Sequence, residues 1–547
     1  MGRIVLLRGI LMLCFASGLG GCADAPGQDS GGALLPEQAA YDVIHYDLQV
    51  SVDPARERID GRVNVHAVVE ERLETLVLNL DRRLSVSKAW TFGRPSTPHA
   101  VERRNNKNEV WLDLDEARSP GDTIRVSVRY EGSPRVAPRP PWDGGLTWER
   151  TPGGDPWIAT SGQTEGGDLW WPVKDHPSDE PDSMDIAFTV PDSLVAASNG
   201  TLQSVERASD STTTHRWHVS TPINAYNVTL NVAPYVRLDT SYASTSGMEV
   251  PVSAYVLPSD SSRAVGALPG FLDQVRFLEE TLGPYPARAD KYGIAQTPFL
   301  GMEHQSLIAY GHDFAPGGLG YDAPFDALHF HELAHEWYGN VVTVGDWKDF
   351  WLHEGPATYL EALYAEHLEG DSAYHALTDY FRSQVTGGTP VTRTAPTTAE
   401  GIYHQDAYFR GALTLHTLRY VVGEDALREI LRRFVTPDSA RAVPVFRSVT
   451  TREFQTLVET VSGRSLEAFF EVYLYQGALP VLDTSRSDGT LQLRWTKTGD
   501  AAFSVPVPVR VDGETHRVSM EGGAGRLTVP GDADVTLDPK GWILRGR

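Results

Sequence analysis

The chain has 547 residues, more than a single hydrophobic core normally supports, so we expect two to four domains. Hydrophobic residues make up 41% of it and charged residues 22%, which is typical of folded globular proteins and excludes a wholly disordered chain. The formal net charge is −24, from 48 basic and 72 acidic residues. This acidic balance argues against a nucleic-acid-binding protein, because a phosphate backbone is bound by Lys and Arg.

Residues 1–21 have the features of a secretory signal peptide. Arg3 and Arg8 give a basic start, and the apolar stretch that follows is too short to cross a membrane as a helix. The stretch ends in L-G-G-C at 19–22, which resembles the lipobox of bacterial lipoproteins. The resemblance implies cleavage before Cys22 and acylation of that cysteine, and several acyl chains on one residue anchor a protein stably. The alternative is an ordinary signal peptide followed by an incidental cysteine.

Cleavage at that place leaves Cys22 as the only cysteine, since the other one, Cys14, lies in the leader. An intrachain disulfide and a cysteine metal ligand are then both excluded. We therefore expect an exported bacterial lipoprotein, held at a membrane by its lipid. The outer membrane is favoured because Ala23, and not an aspartate, follows the cysteine. Nothing in the sequence indicates an oligomeric state.

The hydrophobic pattern divides the remaining chain into four parts. Residues 22–37 are rich in Gly, Ala and Asp, which predicts a flexible tether. Alternating apolar side chains predict a β-rich domain at 38–240, with strands at 43–52, 63–69, 75–80, 124–130, 185–190 and 226–232. A helical period predicts a second domain at 241–477, with helices at 267–282, 324–342, 355–369 and 407–422 and a helical pair at 452–475. Alternating apolar side chains return at 478–547 and predict a small β-sandwich. The predicted fold class is therefore multidomain α+β.

The pentapeptide at 331–335 has the form H-E-x-x-H within a predicted helix. Residues four apart lie on one helical face, so the imidazoles of His331 and His335 can reach the same zinc ion. Glu332 lies one step round the helix, where it can act as a general base on a water molecule at the ion. Catalytic zinc takes three protein ligands and keeps one position open. Glu354, at the start of the next apolar helix and separated from His335 by eighteen residues, is the candidate third ligand.

Two sequence blocks around these residues carry a family resemblance. They read H-E-L-A-H-E-W-Y-G-N at 331–340 and W-L-H-E-G-P-A-T-Y at 351–359. Both closely resemble the gluzincin aminopeptidases, metallopeptidase family M1, which includes aminopeptidase N and leukotriene A hydrolase. The resemblance implies that His331, His335 and Glu354 bind one zinc ion and that Glu332 is the general base.

The same resemblance implies the domain architecture. It predicts an N-terminal β-saddle domain, a thermolysin-like and mostly helical zinc peptidase domain, and a short C-terminal β-sandwich. The long helical C-terminal domain of the larger members has no counterpart, because only strand-like sequence follows Pro480. Pro356 departs from many members directly after the E-G of the second block, and a proline in the first turn of a helix is acceptable.

A third element resembles the part of the family that binds the amino end of the substrate. The segment Gly301-Met302-Glu303-His304 resembles the family's G-x-M-E-N. The resemblance implies that Glu303 binds the α-amine of the substrate and that Gly301 and Met302 lie along the substrate backbone. Leu300 replaces the first glycine of the element and His304 replaces its asparagine, so the shape of the subsite stays open.

A fourth element, W-P-V-K-D at 171–175, resembles the family's stretch ending F-P-C-x-D. Alignment on Pro172 places Gln163 where the family has a Gln or Glu near the substrate amine. Glu165 takes this role if the register is shifted by two residues.

A fifth element, Y-F-R-G at 408–411, resembles the family's Y-x-K-G. The tyrosine of that motif stabilises the oxyanion that forms when the peptide carbonyl is attacked, so the resemblance gives this role to Tyr408. A tyrosine on an apolar helix is otherwise a core residue whose hydroxyl is satisfied locally. Tyr403 is a competitor for the role.

Together these elements predict a zinc-dependent aminopeptidase that hydrolyses N-terminal residues from peptides, with one zinc per chain. Its expected partners are peptides with a free amino end and, through the lipid, a membrane, whereas nucleic acid is excluded. Three alternatives remain. A zinc endopeptidase would have no use for Glu303, a binding or scaffold protein would have no use for Glu332, and an epoxide hydrolase would use the same metal site.

Overall fold

The computed structural model describes residues 30–94, 98–104, 108–163, 165–437 and 443–546. The predicted signal peptide and Cys22 lie outside these ranges. The described chain comprises a β-rich N-terminal part, a helical middle part with one mixed sheet, and β-sheets at the C-terminus, so the predicted multidomain α+β fold is confirmed. No helix in the described ranges is both long and apolar enough to span a membrane.

The N-terminal part is built almost entirely of strands. After a short helix, α1 (Pro36–Ala39), the strands are β1 (Tyr41–Asp53), β2 (Arg58–Val69), β3 (Leu73–Asn79), β4 (Leu84–Thr91), β5 (Val101–Arg103), β6 (Glu109–Arg118), β7 (Thr123–Gly132), β8 (Gly145–Arg150), β9 (Pro156–Ser161), β10 (Ser183–Pro191), β11 (Val195–Ala197), β12 (Thr201–Arg207), β13 (Thr212–Val219) and β14 (Asn231–Ala233). They form sheets in the orders β12-β13-β10-β1-β2-β7-β4, β11-β14-β9-β8 and β3-β6-β5.

The long strands β1 and β2 hold the centre of the seven-stranded sheet. Buried side chains recur at every second place in β1, as at Tyr46, Leu48 and Val50, because successive side chains of a strand point to opposite faces. β1 pairs antiparallel with β2 and parallel with β10, and the inward-facing side chains of the three sheets share one core. The loop that follows β9 carries Gln163 from this domain toward the middle of the molecule.

One predicted strand of this domain is wrong. The run at 226–232 is a 3₁₀ turn at Ala225–Asn227, followed by the short strand β14. The side chain of Asn224 accepts a hydrogen bond from the backbone N–H of Tyr226 and starts the turn, which is a local alternative that asparagine offers to a strand.

The middle part combines helices with a mixed five-stranded sheet. The strands of the five-stranded sheet are β15 (Val236–Ala243), β16 (Glu249–Val256), β17 (Tyr292–Gln296), β18 (Gly301–Met302) and β19 (Ile308–Tyr310), while β20 (Val342–Val344) and β21 (Arg447–Val449) pair with each other in a separate two-stranded sheet. The helices of this part are α2 (Ser261–Leu282), α3 (Ala327–Ala334), α4 (Trp351–Glu369), α5 (Asp371–Gln384), α6 (Gln405–Val422), α7 (Glu424–Val435), α8 (Thr451–Ser462) and α9 (Glu467–Phe470). The sheet order is β15-β16-β17-β19-β18. The boundary predicted at 240/241 falls inside β15, whose pairing with β16 assigns it to this sheet.

The helices that carry the H-E-x-x-H motif and Glu354 have bounds that differ from the predicted ones. The helix predicted at 324–342 is only α3, which starts at the cap of Asp326 and ends at Ala334, and the chain then turns through Gly339 at a positive φ of 138°. The helix predicted from residue 355 starts earlier, at Trp351. Pro356 is therefore its sixth residue and lies inside α4, not in its first turn.

The C-terminal part contains two small sheets, as predicted. A π-helical turn at Glu471–Tyr475 leads into β22 (Val481–Ser487), β23 (Thr490–Thr496), β24 (Val507–Val511), β25 (Glu514–Val518), β26 (Ala524–Thr528) and β27 (Val535–Leu537). The sheet orders are β22-β23-β26 and β25-β24-β27. Side chains of these sheets join the hydrophobic core of the helical part, so the two parts pack as one unit.

The predicted tether at 22–37 is wrong for the residues that the structure describes. Ser30 is buried, its carbonyl accepts a hydrogen bond from the N–H of Ala399 (3.1 Å), and Gly31 lies close to the ring of Trp347. A side chain at Gly31 would overlap that ring, and its φ of 84° also favours glycine. The glycine-rich composition predicts a flexible segment. In the structure, the glycine at position 31 instead allows the backbone to pack closely against Trp347.

Candidate metal centre

The three predicted metal ligands lie together at the junction of α3 and α4. His331 Nε2 is 3.1 Å from His335 Nε2, and Glu354 Oε2 is 3.3 Å from the first nitrogen and 3.4 Å from the second. Ligand atoms at about 2.0–2.1 Å from a tetrahedral zinc are separated by roughly 3.3 Å. The three donor atoms therefore have the spacing of one face of a zinc tetrahedron.

The chemistry of the donor set fits a divalent cation. All three side chains are buried, and Glu354 Oε2 has no hydrogen-bond partner in the described structure. Burial acts to raise the pKa of Glu354, but the adjacent imidazoles of His335 and His331 lower it below its usual range, so the carboxylate is charged. A buried carboxylate with an unused oxygen and two imidazoles around it is a site that a cation completes.

Hydrogen bonds on the far side of each imidazole fix its orientation. His331 Nδ1 donates to Glu361 Oε1 at 2.7 Å, and His335 Nδ1 donates to the carbonyl of Tyr338 at 2.9 Å. An imidazole held in this way through Nδ1 can present the lone pair of Nε2 to a metal ion, and both Nε2 atoms face the metal position. Glu361 lies seven residues after Glu354, two turns further along the same face of α4.

Glu332 is next to the metal position and has the environment of a proton acceptor. It is buried, and burial raises its pKa to about 8, into the range where a carboxyl group can both take and release a proton near neutral pH. The backbone of β18 passes directly over it, since any side chain at Gly301 would overlap the Glu332 carboxylate. Met302 follows in β18 with its side chain in the core.

The predicted amine ligands form a chain of hydrogen bonds beside the metal position. Gln163 Nε2 donates to Glu303 Oε1 at 2.6 Å and to Glu354 Oε1 at 2.7 Å. Glu303 is 2% exposed, and burial raises its pKa, so a cationic group beside it would favour its charged form. Asn340, just after the motif helix, donates to the Glu303 carbonyl at 3.2 Å and holds this residue in place.

The alternative register, with Glu165 beside the amine, is not the one in the structure. Glu165 Oε2 accepts hydrogen bonds from Arg135 Nη1 and from the backbone N–H of Gly144, both at 2.5 Å. These partners hold the loop between β7 and β8, so Glu165 is a structural anchor. His304 is completely buried, and neither of its ring nitrogens has a hydrogen-bond partner among the described residues.

Tyr408 stands over the metal site from α6. Its ring stacks on that of His331, with centroids 6.1 Å apart, and its hydroxyl donates to that of Tyr403 at 3.2 Å. The position is set by a close helix crossing, because a side-chain carbon at Gly411 would lie only 2.9 Å from the Cα of Gly355. Two glycines adjacent to the site thus allow α4 and α6 to touch.

Sequence reasoning missed Glu361 and Asn340, which orient His331 and Glu303. For Glu361 a signal was present in the spacing, because residues seven apart on a helix lie on one face and metal-binding histidines usually donate to a carboxylate or carbonyl. Asn340 lies beyond the end of α3, where helical spacing predicts nothing about contacts.

Comparison with known proteins places this site in a family. The model of the peptidase M1 N-terminal domain matches residues 43–227, and the model of the peptidase family M1 domain matches residues 284–473. The chain belongs to peptidase family M1. An M1 zinc metallopeptidase from Deinococcus radiodurans, solved as a mutant bound to Tyr-Ser-Ala substrate, is 27% identical with a TM-score of 0.67, over 82% of this chain and 98% of that one. This relative and the family indicate a zinc cofactor.

The named relatives are aminopeptidases of greater length. Glutamyl aminopeptidase of Rattus norvegicus is 24% identical over 550 residues, which cover 91% of this chain and 55% of that protein. Aminopeptidase N of Homo sapiens is 26% identical over 232 residues, or 38% of this chain and 24% of that protein. The chain thus spans about half the length of the first of these M1 relatives.

The hydrogen bond from His331 to Glu361 predicts an effect on metal binding. Glu361→Ala should raise the dissociation constant of zinc by about 10–100-fold, because the imidazole loses the acceptor that fixes its tautomer and orientation. Glu361→Gln should have a smaller effect, since the amide oxygen still accepts a hydrogen bond. Competition with a zinc chelator measures both constants.

Tyr321→Phe is the matched control, because it removes the other hydrogen bond to Glu361 and leaves the one from His331 in place. Equal zinc affinity of wild type and Glu361→Ala would contradict the orienting role.

Proposed function

We propose that the chain is a zinc-dependent aminopeptidase that removes the first residue from peptides with a free amino end. The observation that carries this proposal is the buried Glu303 carboxylate beside the metal position, joined through Gln163 to the metal-site carboxylate Glu354. An endopeptidase site has no need of a buried anion at that place. The relatives named aminopeptidases support the same activity.

The spacing of the site explains why one residue would be removed at a time. Donor atoms of Glu303, Glu332 and His335 all lie within 4.8 Å of one another. One residue of extended chain spans about 3.3–3.6 Å. An α-ammonium held at Glu303 therefore puts the first peptide carbonyl at the metal position, next to Glu332.

A bound zinc ion supplies Lewis acidity, which polarises the scissile carbonyl and lowers the pKa of a water molecule. Glu332 takes the proton from the attacking water onto its carboxylate and passes it to the nitrogen of the leaving amine. Tyr408, whose pKa burial raises well above its usual value, keeps its proton and donates a hydrogen bond to the carbonyl oxygen as charge develops there. Glu303 and Gln163 hold the α-ammonium, which fixes the carbonyl in place.

The strand β18 provides a template for the substrate backbone. Gly301 and Met302 pair with β19 on one side, and β18 is the last strand of the order found for its sheet in the described chain. A peptide in extended conformation can add to such an edge through backbone hydrogen bonds. Because Gly301 has no side chain, the backbone of this edge strand lies directly against the Glu332 carboxylate.

The amine contact predicts how substrates and variants behave. The zinc-loaded protein should cleave peptides with a free amino end and leave the same peptides intact when that amine is acetylated. Glu303→Ala should lower kcat/KM for the free peptides by about 10–100-fold, because a hydrogen bond to a charged group is lost in a buried site. Rates of peptide cleavage measured by chromatography check both statements.

Glu109→Ala is the matched control, since it removes another buried carboxylate, one that accepts a hydrogen bond from the indole N–H of Trp111 instead. Equal cleavage of free and acetylated peptides would identify an endopeptidase. Absence of cleavage with one zinc bound per chain would favour the binding or scaffold alternative.

We also propose that the chain is an exported lipoprotein anchored through Cys22, on the basis of the L-G-G-C sequence that ends its apolar leader. In a Gram-negative host the wild type should incorporate labelled palmitate and fractionate with the outer membrane. Cys22→Ala should lose the label, because the acylated sulfur is absent. Labelled Cys22→Ala protein, or unlabelled wild type, would contradict lipid attachment.

A further inference from the structure

Residues Ser30, Gly31 and Gly32 form a short strap that connects the β-rich domain with the helical part. On the first side, the carbonyl of Gly32 accepts a hydrogen bond from His176 Nε2 at 2.9 Å. On the second side, Gly31 pairs with Thr398 in an antiparallel β-bridge. The strap therefore contacts both parts of the molecule, although it lies near the start of the described chain.

The backbone of the strap holds the segment that leads to Tyr403. The carbonyl of Ser30 accepts a hydrogen bond from the N–H of Ala399 at 3.1 Å. The carbonyl of Ala399 in turn accepts from the N–H groups of Ile402 at 3.0 Å and Tyr403 at 2.8 Å. Two successive backbone hydrogen bonds thus connect the strap with Tyr403.

A second connection runs through aromatic rings. The backbone at Gly31 packs so closely on Trp347 that any side chain there would overlap the indole. The Trp347 ring meets that of Phe350 edge-on, with centroids 5.9 Å apart. Phe350 contacts the rings of Tyr403 at 5.5 Å and Tyr408 at 6.4 Å. Because Trp347 and Phe350 are buried in a close-packed interior, a shift of one ring displaces the next.

Both connections end at the pair of tyrosines over the metal site. The hydroxyls of Tyr403 and Tyr408 are 3.2 Å apart, and the ring of Tyr408 stacks on that of His331. In the proposed reaction, Tyr408 donates to the carbonyl oxygen as charge develops there. The rate depends steeply on the place of such a donor, because a misplacement of about 1 Å can cost about 100-fold.

From these contacts we infer that the strap sets the place of the Tyr408 hydroxyl, with Gly31 and Trp347 as positioning residues. The inference rests on the proposed aminopeptidase function and adds two residues to its machinery. Ser30 follows Cys22, the proposed site of lipid attachment, by eight positions. The segment that leads from the proposed anchor therefore also determines how well the site stabilises the oxyanion.

The test adds a side chain at Gly31 of the zinc-loaded protein. Gly31→Val should move the strap away from Trp347, because the new side chain overlaps the indole and a φ of 84° is strained for a β-branched residue. For a peptide with a free amino end, kcat should fall about 10-fold while KM and the zinc content stay unchanged, because the Tyr408 contact to the oxyanion forms in the transition state. Gly31→Ala should lower kcat by a smaller factor. Ala33→Val is the matched control, since Ala33 is exposed, and it should keep the wild-type kcat.

A second background separates positioning of Tyr408 from a general loss of structure. In Tyr408→Phe protein the hydroxyl is absent, so adding Gly31→Val should lower the remaining kcat by less than about 2-fold. A merely structural effect would lower kcat by the same factor in both backgrounds, and that result would overturn the inference. So would an unchanged kcat in Gly31→Val, or an equal fall in Ala33→Val.

Hydrogen–deuterium exchange gives a readout that does not depend on cleavage. The amides of residues 397–403 should exchange about 10-fold faster in Gly31→Val than in wild type or Ala33→Val, because the N–H of Ala399 loses the Ser30 carbonyl. Unchanged exchange would overturn the inference. If the zinc-loaded wild type cleaves no peptide, the aminopeptidase proposal fails, and the exchange rates still decide whether the strap holds the segment that carries Tyr403.

Discussion

Three buried donor atoms at the junction of α3 and α4 have to lie within 3.4 Å of one another, and the helical part of the molecule is arranged around this requirement. Without a cation, burial of the Glu354 carboxylate is costly, because the group has left water and its Oε2 has no hydrogen-bond partner among the described residues. The surrounding structure keeps the arrangement rigid. Glu361 and the carbonyl of Tyr338 orient the imidazoles, and the contact of Gly355 with Gly411 brings α6 against α4.

The second constraint is the fit of the N-terminal domain onto this centre. Gln163 comes from the β-rich domain, yet it contacts Glu303 and Glu354 of the helical part, so the proposed amine site is complete only when the two domains are docked. Buried hydrogen bonds between the domains hold this arrangement, among them those of Asn199 with the Gln305 carbonyl (2.6 Å) and of Asn227 with Asn340 (2.8 Å). Because such groups are costly to leave unpaired, they specify one docking geometry.

Regular spacing made most of the fold and much of the site predictable from the sequence. The alternation in β1 and β2 and the i, i+4 pair of histidines follow from the geometry of strands and helices. Predictions failed where a local interaction overrides the pattern. Asn224 starts a turn within the apparent strand 226–232, and Gly31 packs closely where its composition indicates a tether. The apolar pocket beside His331 could not be foreseen, since its lining residues Trp142, Leu300 and Phe409 meet only in the folded chain.

The central claim is that His331, His335 and Glu354 together hold one zinc ion, and anomalous diffraction at the zinc absorption edge tests it most directly. A crystal of the zinc-loaded protein should show one strong peak per chain, about 2.0–2.2 Å from both Nε2 atoms and from an oxygen of Glu354. Mutation of Glu354 to Ala should abolish or weaken the peak. A peak at other residues, or no peak in the loaded protein, would contradict the account.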